Sequence, residues 1–461
     1  MSGSAPASAT ENASTHGSVW RGRHLWVTVG AVALIFLAAI QALAVTTVMP
    51  VVSEDLDGER LFAVAFAGML ATSVVGMVAA GAWCDRRGVL VPLTVAVALF
   101  VSGLVIAGLS ANMDMLVAGR LVQGLGSGGQ IVALYVLVAR VYPSALHGRV
   151  FAAFSAAWVV PSLIGPFLAG AVAEILHWRW VFLGVAILTL LAFVTVVTRL
   201  HGLSLGANAP SQSRVLLRLL CAVLVAVGAL GLSLAEQAGR GAPAVVAASI
   251  VLIVLAARPL LPRRTLIAGR GLPSVILMRG VLAGALFGAE IYVPFLLRRD
   301  YGFSPVWAGL ALTAAALAWA VAAEVQGRIG DVLGNRRIVL LAIAQMTVSF
   351  SIAVAAAAGH LHPAILIVGW ALAGSGMGLV YPRLSVLMLA YSGPANQGFN
   401  SSALSISDAI GSSSAIATMG LVFLLLTGTG AEFPAVFGVA VLLTLLALVP
   451  GLRLGRAGER T

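Results

Sequence analysis

Fourteen apolar runs, each of about 18 residues or more, follow one another along this chain. They cover 25–49, 61–83, 89–110, 115–139, 150–173, 179–198, 215–235, 243–260, 274–297, 306–326, 338–358, 363–389, 401–426 and 433–452. A run of that length matches the roughly 30 Å of hydrocarbon in a bilayer when it is helical. Lipid offers no partner to a backbone N–H or C=O, so each run must satisfy its own amides, and a helix does so. Composition agrees. Of 461 residues, 60% are hydrophobic and only 9% charged, and the mean hydropathy is +1.05. Soluble domains carry about 25% charged residues, so a water-soluble globule is excluded. The expected fold class is an all-α polytopic membrane protein.

The charge pattern sets the topology. The net charge is +11, and all 27 basic residues are arginine. They sit mostly in short loops between apolar runs, which points to membrane orientation rather than to nucleic acid. With the N-terminus inside, twenty arginines fall in cytoplasmic segments, Arg279 among them, and five in outer segments. Arg120 and Arg383 fall inside runs. The bias requires an even number of crossings and both termini in the cytoplasm. Twelve crossings remain open if 215–235 and 243–260 do not cross. Residues 1–24, rich in Ser, Ala, Thr and Gly, read as a disordered cytoplasmic tail, and 453–461 as a second tail. The first apolar run is too long for a signal peptide core.

An internal repeat stands out. Gly81-Ala-Trp-Cys-Asp85-Arg86-Arg87-Gly88 follows the second run, and Gly327-Arg-Ile-Gly-Asp331-Val-Leu-Gly334-Asn-Arg336-Arg337 follows the tenth. Both read G-x-x-x-D-x-x-G. Glycine permits a tight turn, aspartate can cap a helix start, and arginine supplies positive-inside charge.

At these residues the chain resembles the major facilitator superfamily, whose signature loop has this pattern. Three further stretches agree. Arg120-Leu-Val-Gln123-Gly124-Leu-Gly126-Ser-Gly128 resembles the fourth-helix motif of proton-driven members. Pro161-Ser-Leu-Ile-Gly165-Pro166-Phe-Leu-Ala-Gly170 resembles the fifth-helix motif of antiporters. Trp178-Arg179-Trp180-Val-Phe182 resembles the start of helix six in drug exporters. The resemblance is to the fourteen-helix drug:proton antiporters. There are departures. Pro161 stands where glycine is usual, and Gln41 stands where the family's first-helix motif has an aspartate tied to proton or cation handling.

The resemblance implies two pseudo-symmetric six-helix bundles, 25–198 and 274–452, joined by a linker at 199–273 that holds two extra membrane helices. It implies rocking-bundle alternating access around a midplane cavity. The partners it implies are protons, a small hydrophobic substrate and the lipid bilayer, with no cofactor and a monomeric chain. The setting would be a bacterial inner membrane. By the same resemblance Arg120 helps to move the proton, and Pro161, Gly165, Pro166 and Gly170 serve conformational switching.

Charges inside a membrane are costly and mark function or a buried pair. Glu290 lies well inside the ninth run with no basic residue within a helical turn. A carboxyl that takes a proton in the membrane and releases it on exposure is what a proton carrier needs; the bland reading is a glutamic acid hydrogen-bonded to a neighbouring helix. Asp408 lies on a serine-rich face, and Arg383 sits at a similar depth on the preceding run. The two are expected to pair, as a structural bridge or as a gate. Glu324 and Arg328 have the spacing of an i,i+4 pair. Gln41, Tyr135, Phe154, Trp158, Phe287, Tyr292, Trp319 and Tyr381 are candidates to line a hydrophobic cavity, though core packing is the commoner role for any one of them.

No GK[ST] P-loop or H-E-x-x-H sequence is present, and the seven histidines do not cluster with carboxylates inside the runs. An ATP-driven or zinc-dependent activity is therefore disfavoured. Export of a hydrophobic or cationic molecule against an inward proton flow is the leading expectation. Export of a lipid or cell-envelope precursor comes next, then an uptake symporter, then a membrane enzyme or sensor.

Overall fold

A computed structural model describes residues 23–57, 61–200, 215–303 and 305–454; within them some side chains, including those of Pro166 and Asp331, lie outside the description. The expected tail at 1–24 falls outside the described residues except for Arg23 and His24, which begin the first helix.

The described residues form sixteen α-helices: α1 (Arg23–Asp55), α2 (Phe62–Arg87), α3 (Leu90–Gly108), α4 (Met113–Val141), α5 (Ser144–Ile175), α6 (Arg179–Leu200), α7 (Val215–Ser233), α8 (Ala242–Ala257), α9 (Leu272–Glu290), α10 (Tyr292–Arg299), α11 (Pro305–Leu333), α12 (Asn335–Gly359), α13 (Pro363–Ala390), α14 (Gln397–Leu426), α15 (Glu432–Leu446) and α16 (Leu448–Leu452). Eleven helical stretches are long and apolar enough to cross a membrane, counting α9–α10 and α15–α16 as one each. Beyond these, α5 and α11 have 32 and 29 residues, and α8 is shorter, at 16.

Local chemistry sets several ends. The Asn112 side chain accepts from the Met115 amide at 2.9 Å and caps α4. Pro363 opens α13, where a missing N–H costs nothing. Gly88 and Gly334 close the two repeated loops with φ of +82° and +76°. L side chains rarely adopt that backbone, so both copies of the motif end in glycine for the same reason. The break between α9 and α10 follows from Pro294, which has no N–H for the Glu290 carbonyl. Pro450 separates α15 from α16 in the same way.

The two halves repeat one packing plan. In the first, α4 lies on α2 and α3, and α1 lies on α5 and α6. In the second, α13 lies on α11 and α12, and α9 lies on α14 and α15. Glycines mark the register. Positions 119, 124, 126 and 128 of α4 and 369, 374, 376 and 378 of α13 are all glycine, with identical spacing. A side chain on Gly128 would run into the Ser73 carbonyl of α2, and one on Gly378 into the Trp319 carbonyl of α11. The backbones touch here, so Gly128→Val is expected to cost ~1–3 kcal/mol or more. Gly184→Val, where an added Cβ meets no described residue within 4 Å, is the control. Thermal unfolding of the two purified variants in detergent checks this.

The halves meet through α2 against α14 and α5 against α11. α7 and α8 pack together on the outside, against α2 and α14. Val225, Val246 and Ile253 of that pair share an apolar cluster with Val74 of α2 and Ile406 of α14.

Candidate functional site

Between the halves lies a cavity of about 490 Å³, walled by α1, α4 and α5 on one side and α9, α11, α13 and α14 on the other. Tyr135, Phe154, Trp158, Phe287, Trp319 and Tyr381 all line it, joined by Phe151 and Trp370. The rings form two groups, Tyr135, Phe151 and Phe154 in the first half and Phe287, Trp319 and Tyr381 in the second. Phe287 and Trp319 have centroids 6.3 Å apart, Trp319 and Tyr381 5.3 Å, and Tyr135 and Phe151 4.9 Å. Two expected lining residues stand elsewhere. Tyr292 packs its ring on Phe423, at 5.3 Å, and does not line the cavity. Gln41 is fully buried in α1, and neither polar atom of its amide has a hydrogen-bond partner among the described residues. Both corrections have one cause: span membership does not say which way a helix position faces.

Two carboxylates face this cavity. Glu290 sits at the α9–α10 break and makes no hydrogen bond or ion pair with any other described residue. Asp408 is held. Arg279 donates from Nε to Asp408 Oδ1 at 3.2 Å, and the Tyr381 hydroxyl donates to the same carboxylate at 2.6 Å. Arg279 also donates from Nη1 to the Tyr381 carbonyl at 3.0 Å and to Ser385 Oγ at 3.2 Å. Its guanidinium lies over the Tyr381 ring, 3.1 Å from the centroid. The Arg279 side chain is 4% exposed and that of Asp408 26%, so the pair forms part of the cavity floor with one carboxylate edge open.

The expected Arg383–Asp408 pair is therefore corrected. Arg383 donates from Nε to Asn335 Oδ1 at 2.6 Å, on α12. Depth along the helix gave the expectation, but direction decides it. Residues 381 and 383 are separated by about 200° around a helix. Tyr381 faces α14, so Arg383 faces away. Arg279 is corrected too: it lies buried inside α9 rather than in a cytoplasmic segment.

Arg120 stands apart from the cavity. Its guanidinium donates to the Ala65 carbonyl at 3.2 Å and to Gln123 Oε1 at 2.8 Å, and it has no ion pair among the described residues. The fifth-helix stretch shows no close packing at its glycines. Among the described residues, a Cβ added to Gly165 would meet only Leu43 Cβ, at 3.8 Å, and one added to Gly170 would meet nothing within 4 Å. Pro161 is buried, and the Pro166 side chain lies outside the described residues.

The arginine-rich end is shut on the α2–α14 side. Gly81 lies against the Gly398 backbone. Asp85 accepts the Gly398 amide on Oδ1 at 2.7 Å and the Phe399 amide on Oδ2 at 2.9 Å. The α14 N-terminus has no side-chain cap of its own, so an aspartate from the other half supplies it. Arg218 of α7 covers the Phe399 ring at 4.2 Å. Arg86 and Arg336 are exposed at the same end, whereas the Asp331 side chain lies outside the described residues. Glu324 and Arg328 form the expected i,i+4 pair at 2.8 Å. Among the described residues, no group of three or more His, Cys, Asp or Glu side chains converges as a metal site would need.

Comparison with known proteins places this geometry. The model of the Major Facilitator Superfamily matches residues 31–415. A probable multidrug-efflux transporter of Mycobacterium tuberculosis is 28% identical over 95% of this chain and 96% of its own. The multidrug efflux pump SdrM of Staphylococcus aureus is 24% identical over 87% and 90%. Among solved structures, the proton:xylose symporter XylE superposes with a TM-score of 0.64 at 15% identity, covering 92% of this chain and 94% of that one. An outward-facing bacterial homologue of the iron transporter ferroportin gives 0.69 at 13% identity, over 95% and 100%. These two likenesses concern the fold alone.

Proposed function

This chain belongs to the major facilitator superfamily, a family of membrane transporters rather than enzymes, and from that premise we propose that it exports hydrophobic, cationic small molecules. The export would run by alternating access and be driven by protons flowing inward. Two curated relatives matched over most of their length are named multidrug efflux proteins, which supports the export of drugs. The cellular setting in this reading is the bacterial inner membrane, with both termini cytoplasmic. One chain carries both halves, so a monomer suffices. Residues 25–198 and 274–452 are the rocking bundles, and 199–273 joins them.

The observation that carries the reading is Glu290, a carboxylate with no partner among the described residues, in a cavity walled by aromatic rings. An ionised carboxylate there needs a cation. A proton and a lipophilic cation compete for the same two oxygens, and that competition is the logic of antiport. Aromatic faces add cation–π attraction and accept many shapes. The indole N–H of Trp319 is buried beside them without an acceptor among the described residues. Asp408 has a different part, because Arg279 and Tyr381 already occupy it. It stays available to a proton or substrate only where its open edge meets the cavity, and its bonds tie α9, α13 and α14 together as the second half moves. Arg120 and the α5 motif serve the proton step and the switch in this reading.

The test is flux in liposomes with an imposed pH gradient. A panel of lipophilic cations is added to wild type and to Glu290→Gln, and lumenal pH is followed. Wild type is expected to dissipate the gradient with some member of the panel. Loss of a charged partner worth about 1.5–3 kcal/mol lowers the rate in Glu290→Gln by roughly 10- to 150-fold. Equal rates in both proteins would remove Glu290 from the mechanism. Labelled lipid movement without any proton flux would favour export of an envelope precursor.

A further inference from the structure

The two junctions between the halves at the arginine-rich end are related by the repeat but covered differently. At α2–α14, Asp85 caps the facing helix, and α7 and α8 pack over the outside. At α5–α11, Gly327 faces Gly148, and a Cβ added to Gly327 would stand 3.4 Å from the Gly148 carbonyl. Here an open groove of about 690 Å³ remains between α1, α5 and α11. Its inner walls are Val32 and Phe36 of α1 and the alanines 153, 156 and 157 of α5. Three small residues at i, i+3 and i+4 leave a slot along one helix face. Its mouth carries Arg149, Glu324 and Arg328. Glu324 is already paired with Arg328. Arg149 is exposed and makes no hydrogen bond or ion pair with any described residue. The groove thus combines a hydrocarbon wall with one positive charge that no described residue pairs, at the membrane surface.

We propose that this groove binds an anionic phospholipid from the leaflet on the arginine-rich side. The Arg149 guanidinium takes a phosphate oxygen pair, the geometry arginine favours. Arg328, leaning on Glu324, contributes at the rim. One acyl chain lies in the alanine slot against Val32 and Phe36. Free phosphate would use the arginine and leave the apolar wall bare, and a cationic molecule is repelled by the net charge of the mouth. The occupant touches α5 of one half and α11 of the other, so it covers the junction that α7 and α8 leave open.

Native mass spectrometry of the full-length protein tests this, with binding rather than transport as the readout. The protein is equilibrated with equal amounts of phosphatidylglycerol and phosphatidylcholine of the same acyl chains. Wild type is expected to retain phosphatidylglycerol about fivefold over phosphatidylcholine, the ratio one arginine near anionic lipid is worth. Arg149→Gln is expected to bring the ratio close to one. Ala156→Trp, at an exposed position that tolerates bulk, fills the slot and is expected to remove the retained lipid of both kinds. Equal retention of both lipids by wild type overturns the proposal. So does a preference that survives Arg149→Gln, or lipid retention unchanged in Ala156→Trp.

Discussion

Asp408→Ala is expected to destabilise the purified protein by about 3–5 kcal/mol, the cost of leaving a buried charge without its partner. Arg279 cannot turn to water, because its side chain is 4% exposed. Without the carboxylate it keeps neutral partners, the Tyr381 carbonyl and ring, Ser385 Oγ and the Tyr135 hydroxyl. Neutral oxygens do not repay the desolvation of a guanidinium. The Tyr381 hydroxyl loses its acceptor in the same variant. The double variant Arg279→Met, Asp408→Leu removes both charges at similar volume and is expected to recover most of the loss, since an apolar pair in such a place is often neutral or better. Thermal unfolding in detergent of the single and double variants completes the comparison. An Asp408→Ala protein that melts with wild type would mean that the guanidinium is compensated elsewhere. Arg383→Ala is the contrasting case, because Arg383 reaches Asn335 and leaves Asp408 untouched.

That pair also shows where the sequence stops being informative. Helix existence was legible throughout. Apolar runs at 115–139 and 363–389 correspond to α4 and α13 within a few residues, because a membrane helix is fixed by length and hydropathy alone. The repeated loop was legible because Gly88 and Gly334 each need a backbone that only glycine adopts readily. The partner of Asp408 was not. Its depth is readable from counting residues, but its direction depends on how α14 is turned against α9 and α13. Arg279 escaped notice as a site residue because it lies close to the start of its run, where arginine ordinarily marks the membrane surface. A signal was present all the same, since the residues on either side of it are apolar for a full turn. Six of the eight proposed cavity residues line the cavity, and the exceptions, Gln41 and Tyr292, again turn on direction. The glycine register shared by α4 and α13 was fully visible in the sequence and is a stronger mark of the repeat than the loops, because it also fixes which neighbouring helix each face meets.

Asp85→Ala is expected to shift the protein away from the conformation closed at its arginine-rich end by roughly 30- to 150-fold, or about 2–3 kcal/mol. Two amides at the start of α14 depend on this one carboxylate, at 2.7 and 2.9 Å, and Asn396 does not replace it. Both bonds join helices from opposite halves, so they exist only while α2 and α14 are together. Interactions confined to one of two states set the balance between them. Folding within each half does not use them, and the variant is expected to melt close to wild type. This separates it from Asp408→Ala, whose contacts lie within the second half. Spin labels at Arg87→Cys and Ala395→Cys, both exposed and flanking the contact, report the α2–α14 separation once Cys84 and Cys221 are replaced. Electron–electron resonance distances are expected to lengthen and broaden in Asp85→Ala. Asp85→Asn keeps the shape but one acceptor oxygen and no charge, so it falls between. Arg218→Ala removes a cation–π contact worth about 0.5–1 kcal/mol together with a positive charge that attracts Asp85, and is expected to shift the distances less than Asp85→Ala. Unchanged distances in Asp85→Ala would assign the closure to the Gly81–Gly398 backbone contact instead, and Gly398→Val would then open the end that Asp85→Ala leaves shut.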